Sequence, residues 1–155
     1  MDSKLQLLEQ KLKNLRTKKF DKPYFVPSLW SDNPPVKNNR KHEVKPASFF
    51  LDRIKKIYEL SDIQKIVIPD KDWTKHAVIY NMFVRYATAY DHDNNGKVDI
   101  ETGENFFRET GTFLKAIALL PYLHSLGINT VYMLPITSIG LDGRKGNFPH
   151  IHRYT

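Results

Sequence analysis

The sequence predicts an α/β fold built on a parallel strand–helix–strand unit, and three observations carry that expectation. Residues 77–84 are almost continuously apolar, the pattern of a strand buried on both faces. Residues 129–134 form a second strand, introduced by Leu126, Gly127 and Ile128 and stopped by Pro135. Between them, Gly111 and Thr112 start a helix to which Phe113, Leu114, Ala116, Ile117, Leu119 and Leu120 give a wide apolar face. Strand, helix and strand joined by short connections imply a right-handed parallel unit, whose ligand chemistry lies at the carboxyl ends of the strands.

Two residues punctuate that unit. Pro121 removes a backbone donor and clashes with the preceding turn, so a second short helix is expected to begin there with Pro121 at its first position. Gly127 suits the left-handed C′ position that releases the chain into the second strand.

The most informative stretch is the loop after the first strand. Asp91, Asp93, Asn95 and Asp99 place oxygen-bearing side chains so that they can converge on one hard cation if the chain coils, with the Lys97 carbonyl filling the gap. Gly96 permits the sharp turn that coiling needs. Ca2+ is the cofactor this donor set predicts. The same residues also furnish an ordinary polar surface turn, and that reading stays open. An EF-hand sensor fits poorly. Its bidentate acid at position twelve would fall on Thr102, and no amphipathic helix enters the loop.

Residues 77–85 followed by 91–99, then 120–128 and 131–136, resemble in order the opening of the catalytic domain of the α-amylase family of glycoside hydrolases. The resemblance covers residues 73–146, less than half of the chain, and four separated motifs in sequence carry it. It implies a (β/α)8 barrel of which this chain holds a part: a partial TIM barrel with the first strand, first helix and second strand. It also implies calcium ligands at Asp91, Asp93, Asn95 and Asp99, where the family often has an acid at the position of Asn95. The substrate class it implies is an α-glucan or oligosaccharide, taken by the full-length protein through a covalent glycosyl-enzyme. Retaining hydrolysis needs two carboxyl groups about 5 Å apart. The resemblance places these after the fourth and fifth strands, so no residue here is given a catalytic role and the chain alone is expected to be inactive.

Length sets the outer bound. A closed eight-stranded barrel needs about 250 residues, and 155 cannot supply one. The chain divides into an N-terminal extension (1–72), the start of the barrel (73–147) and an aberrant tail (148–155). Residues 140–147 still resemble the family's loop after the second strand. The tail does not, and its codons can be chosen so that a shifted frame restores the family's continuation. The absence of cysteine excludes disulfides, thiolate metal sites and cysteine nucleophiles, and suits a reducing compartment. With no apolar leader and no run of ~20 apolar residues, a cytoplasmic protein without a membrane partner is expected.

The extension is mainly helical and irregular. Leu5, Leu8, Leu12 and Leu15 recur at helical spacing over residues 3–19, and docking on the protein body outweighs binding of acidic lipid. Residues 21–46 form a proline-rich connector pinned by Tyr24, Phe25, Leu29 and Trp30. Ser48 is the expected N-cap of a helix over residues 49–60 with Phe50, Ile54, Ile57 and Tyr58 on one face. Residues 66–68 read as a short strand, and Trp73 as structural. Most of the formal charge of +7 comes from this region, but the cations are scattered and no nucleic-acid motif accompanies them, so no nucleic-acid partner is expected. His76, His92 and His124 are each isolated and read as structural or solvated. Glu101, Glu104 and Glu109 follow the acidic loop and could shape it. The reading from a different class is a small calcium-binding or interaction module whose acidic loop is its whole function.

Overall fold

In the computed structural model the described residues are 3–19, 22–31, 40–63, 72–99, 107–134 and 136. The leucine stripe at the start forms helix α1 (Ser3–Arg16), with Leu12 buried and Leu5, Leu8 and Leu15 packed at the edge of the core. It lies on helix α2 (Pro46–Ile63). That helix begins three residues earlier than Ser48 capping would allow. Pro46 is its first residue, where a missing N–H costs nothing and the fixed φ is already helical.

Between the helices the connector is extended and paired. Strand β1 (Phe25–Pro27) runs antiparallel to β2 (Lys41–Glu43), with Val26 opposite His42. A short 3-10 turn, Ser28–Trp30, follows β1. Tyr24 and Trp30 are buried as expected of anchors, whereas Leu29 is exposed and pins nothing.

The parallel unit is present in short form. Strand β3 (Ile79–Met82) pairs with β4 (Thr130–Met133) in parallel, Ile79 opposite Thr130 and Met82 opposite Met133. The Asn129 side chain aligns their starts, accepting from Val78 N at 2.9 Å and donating to the His76 carbonyl at 2.8 Å. The apolar run extends past the strand because residues 84–87 close into one helical turn, α3 (Val84–Ala87), which buries Val84. Burial on both faces of β3 does not hold among the described residues. Met82 is fully buried, but Val78 and Ile79 are more than half exposed, because a two-stranded sheet gives each strand one neighbour.

Helix α4 (Phe113–Ser125) connects the two strands and runs unbroken through Pro121. The expected second helix therefore does not form. Proline deletes one bond, and the buried Ala116, Ala118, Leu119 and Leu123 hold the helix to the core on both sides of it. Thr112 caps the start, its hydroxyl accepting from Lys115 N. Gly127, at φ 81°, ends the helix as expected, with Gly127 N bonded to the His124 carbonyl and Ile128 N to the Leu123 carbonyl.

One core joins these elements. Leu12, Tyr24, Val26, Trp30, Phe50 and Ile54 from the N-terminal segments pack with Met82, Val84, Phe107, Leu119 and Leu123. Arg53 is buried beside them, donating to the Trp30 carbonyl at 3.3 Å and to Asp52 at 2.6 Å. The described residues thus form mixed helices and two small sheets, an α/β arrangement with no closed barrel among them. No helix among them is long and apolar enough to cross a membrane. The expected strand at 66–68, the loop at 140–147 and the tail at 148–155 lie outside the described residues.

Candidate metal centre

The acidic loop occupies residues 91–99, after β3 and α3, at the carboxyl end of β3. Its coiling is visible in the backbone. Asn94 has φ 62° and Gly96 has φ 86°, two left-handed residues in three, as a chain folding round a point requires. Asp91 Oδ1 and Asp93 Oδ1 both accept from Asn95 N at 3.1 Å, and Asp91 Oδ2 accepts from Gly96 N at 2.8 Å. Asn95 Nδ2 donates to Asp93 and to Asp99, while Asn95 Oδ1 accepts from Lys97 N at 2.8 Å. The alternating oxygens therefore converge, with Asn95 as the link between two carboxylates.

Glu109 completes the loop from outside it. Its carboxylate accepts from His92 N at 2.7 Å, Asp93 N at 3.1 Å and Asp99 N at 2.8 Å, so one buried side chain ties both ends of the loop together. A carboxylate has about four lone-pair positions, and three are filled this way. The fourth remains for a cation. Carboxylate oxygens of Asp91, Asp93 and Glu109 lie within 4.8 Å of one another, a grouping that could hold a metal ion. Of the five residues expected as ligands, Asp91 and Asp93 belong to this trio. Asn95 and Asp99 stand beside it through their hydrogen bonds, and Lys97 is exposed.

Helix α4 braces the site from below. Lys115 is buried, and its Nζ donates to the carbonyls of Glu109 at 2.8 Å and Thr110 at 3.0 Å. Burial lowers its pKa to about 7, against the pull of Glu109. Gly111 N donates to the Arg85 carbonyl and Tyr90 N to the Glu109 carbonyl, so α3, the loop and the start of α4 are sewn together.

The N-terminal segment clasps the other side. Phe25 N donates to the His92 carbonyl at 2.8 Å, and His92 Nδ1 bonds the Phe25 carbonyl at 2.5 Å. The imidazole stacks on Tyr24 at 4.2 Å between centroids and meets Trp30 and Tyr90 at its edges. His92 is thus the structural histidine that its isolation implied, while His76 and His124 are exposed. Lys41 Nζ reaches Asn94 Oδ1, a second link from the hairpin to the loop.

Burial, then the Lys115 charge, lowers the His92 pKa from 6.5 to about 3, outweighing the Phe25 carbonyl and Asp91. Between those values the unfolded chain holds a proton that the folded chain refuses. Stability from this group is therefore complete above pH 6.5 and is lost as pH falls toward 3. Urea melts in chelator at stepped pH should show that decline, with the His92 ring resonances staying neutral over the upper part of the window. A ring that protonates near 6.5 would show the clasp to be open in solution.

Glu109 is the residue the sequence reading did not single out as a ligand, and Lys115 was its signal. A lysine in the middle of the apolar face from Phe113 to Leu120 must bury its amine, and a buried ammonium calls for oxygens close by. The scan against family models and the search of curated proteins give no match to this chain.

Proposed function

We propose that the chain is the opening of an α-amylase-type catalytic barrel, part of a glycosidase or transglycosidase of carbohydrate metabolism that acts on α-glucans, with Ca2+ held by the 91–99 loop in a structural role. The observation that supports it is the acidic loop at the carboxyl end of β3, which pairs in parallel with β4 across α4. Calcium suits a site of flexible, all-oxygen donors better than magnesium, which demands near-ideal octahedral geometry and keeps its waters. The Asp91, Asp93 and Glu109 carboxylates supply the donors, with the Asp99 carboxylate linked to them through Asn95, and the ion would screen acids crowded against one another.

Such an ion is structural because it fixes the loop rather than reaching substrate. Asp93→Ala should lower the melting temperature in calcium buffer and leave it nearly unchanged in chelator, since the side chain's main partner would be the ion. Equal destabilisation in both buffers would make the loop a hydrogen-bonded turn. The described carboxylates near the loop accept from its backbone donors, which commits them to holding the loop rather than to proton transfer to a glycosidic oxygen. Purified chain should release no reducing sugar from starch, glycogen or maltooligosaccharides. Turnover that survives repurification and vanishes in Asp99→Ala would overturn the assignment.

The reading as a small calcium-binding or interaction module is favoured by one observation, the single core that the N-terminal segments share with β3, α3 and α4. Cooperativity separates the two. A self-contained module melts in one sharp transition that shifts with calcium, whereas a barrel piece exposes unpaired parallel edges and aggregates.

A further inference from the structure

The loop that gathers the acids also contains the only Asn-Gly pair in the sequence, Asn95–Gly96. An asparagine side chain ends in an amide carbon that the backbone nitrogen of the next residue can reach, and the two can close into a cyclic imide. The usual obstacle is the side chain of that next residue, which crowds the nitrogen. Glycine has none. The surroundings are open as well: a Cβ on Gly96 would meet nothing within 4 Å, and residues 94–99 are all exposed, so water reaches both partners.

The folded loop prepares the atoms of that closure. Gly96 N donates to Asp91 Oδ2 at 2.8 Å, so the proton that the attacking nitrogen must shed already faces a carboxylate. Asn95 Oδ1 accepts from Lys97 N at 2.8 Å, which draws electrons from the amide carbon under attack and steadies the oxygen on which negative charge develops. Asn95 Nδ2 makes longer contacts, 3.2 Å to Asp93 and 3.3 Å to Asp99. Asn129 is the contrast within the same chain. Its side chain is held to Val78 N at 2.9 Å and to the His76 carbonyl at 2.8 Å, and the residue after it is the β-branched Thr130, which opens β4.

We propose that Asn95 is a self-modification site, at which the folded chain deamidates to aspartate or isoaspartate and adds a negative charge to the acidic loop. Gly96 N attacks Asn95 Cγ as its proton passes to Asp91, and the N–Cγ bond forms. The Cγ–Nδ2 bond then breaks, and Nδ2 takes the proton back and leaves as ammonia. Water, the co-reactant, adds to either carbonyl of the imide. Opening at Cγ gives aspartate; opening at the backbone carbonyl carbon of residue 95 gives isoaspartate, with an extra methylene in the main chain.

The product changes what the loop requires. In the original chain the Asn95 amide donates to both Asp93 and Asp99 and so bridges their charges without an ion. A carboxylate in its place donates nothing and repels both. A loop held by its own amide becomes one that depends on a cation. This consequence rests on the cation reading of the loop, whereas the modification itself does not.

The test incubates the full chain in chelator at neutral pH and follows it by peptide mapping, with enzymatic isoaspartyl methylation marking the isoaspartate fraction. The peptide holding Asn95 should gain the mass of oxygen exchanged for NH at least about tenfold faster than the peptide holding Asn129. The same chain unfolded in urea is the reference, and the folded chain should convert at least as fast. Asp91→Asn, which keeps an acceptor for Gly96 N but loses the base, should slow conversion severalfold. A folded chain slower than the unfolded one would overturn the proposal, because the hydrogen bonds would then lock the asparagine instead of readying it. Equal conversion at Asn95 and Asn129 would overturn it too. If Asp91→Asn fails to fold, the comparison of folded and unfolded unaltered chain decides. Calcium should raise the melting temperature of Asn95→Asp more than that of the original chain. Conversion at Asn95 with no calcium response in either chain would reject the cation reading and leave the modification standing.

Discussion

Glu109→Ala should be the most damaging change in the candidate metal centre, lowering stability by roughly 3–5 kcal/mol even in chelator. Glu109 is 6% exposed, and its carboxylate accepts from three backbone amides in the loop, all of which would lose their partner at once. It is also the negative charge facing the buried Lys115, which would keep only the carbonyls of residues 109 and 110. Glu109→Gln separates these effects. Both carboxylate oxygens accept from N–H groups, so an amide must turn its own NH2 toward a donor on one edge. An intermediate loss is therefore expected from Gln, together with weaker calcium binding than in the unaltered chain. Thermal and urea melts with and without calcium check both variants. A Glu109→Ala protein as stable as the original in chelator would show that the loop is held by its own hydrogen bonds.

The local parts of this site were legible because their causes are local. Alternate oxygens at Asp91, Asp93, Asn95 and Asp99 with Gly96 between them announce a coiled loop, and the two positive φ values at Asn94 and Gly96 are its backbone signature. The helix stop at Gly127 and the parallel strands at its two ends follow from equally short-range chemistry. What the sequence hides is who meets whom. Glu101, Glu104 and Glu109 look alike in a row, and only the tertiary position of α4, which carries Lys115, singles out the last. The pairing of Phe25 with His92 joins residues 67 apart in sequence, and no periodicity encodes it.

Two misreadings have a common origin. A continuous apolar run in residues 77–84 reports low polarity, not the number of neighbours, so the exposure of Ile79 beside the burial of Met82 was out of reach. The missing donor and the ring of Pro121 are local reasons for a helix to stop, and they carry no information on packing. A proline costs about 3 kcal/mol in a helix interior, and burial of Leu119 and Leu123 is of the size that can offset it. In each case packing between distant segments decided the outcome.

Gly111→Ala should be nearly as costly as loss of Glu109, for a steric reason that involves no charge. A Cβ at this position would stand 1.8 Å from the Val84 carbonyl oxygen and 2.7 Å from that of Arg85. Both are backbone atoms, so no side chain can swing away to make room. Relief requires α3 and the segment 107–112 to separate by an ångström or more, which breaks Gly111 N to the Arg85 carbonyl and strains Tyr90 N to the Glu109 carbonyl. Overpacking of this kind costs about 3 kcal/mol, or roughly 10 °C in melting temperature for a chain of this size. The separation also carries Glu109 away from the loop amides it holds. Calcium should therefore stabilise Gly111→Ala less than the original chain, although the substitution touches no proposed ligand. Gly96→Ala is the informative contrast. Its Cβ meets nothing within 4 Å and its cost is the φ of 86° alone, so it should lose about 1 kcal/mol. Melting curves for the two variants, each with calcium and with chelator, check the order. A Gly111→Ala protein that melts with the original would mean that α3 does not press on the start of α4 and that the loop's support lies elsewhere.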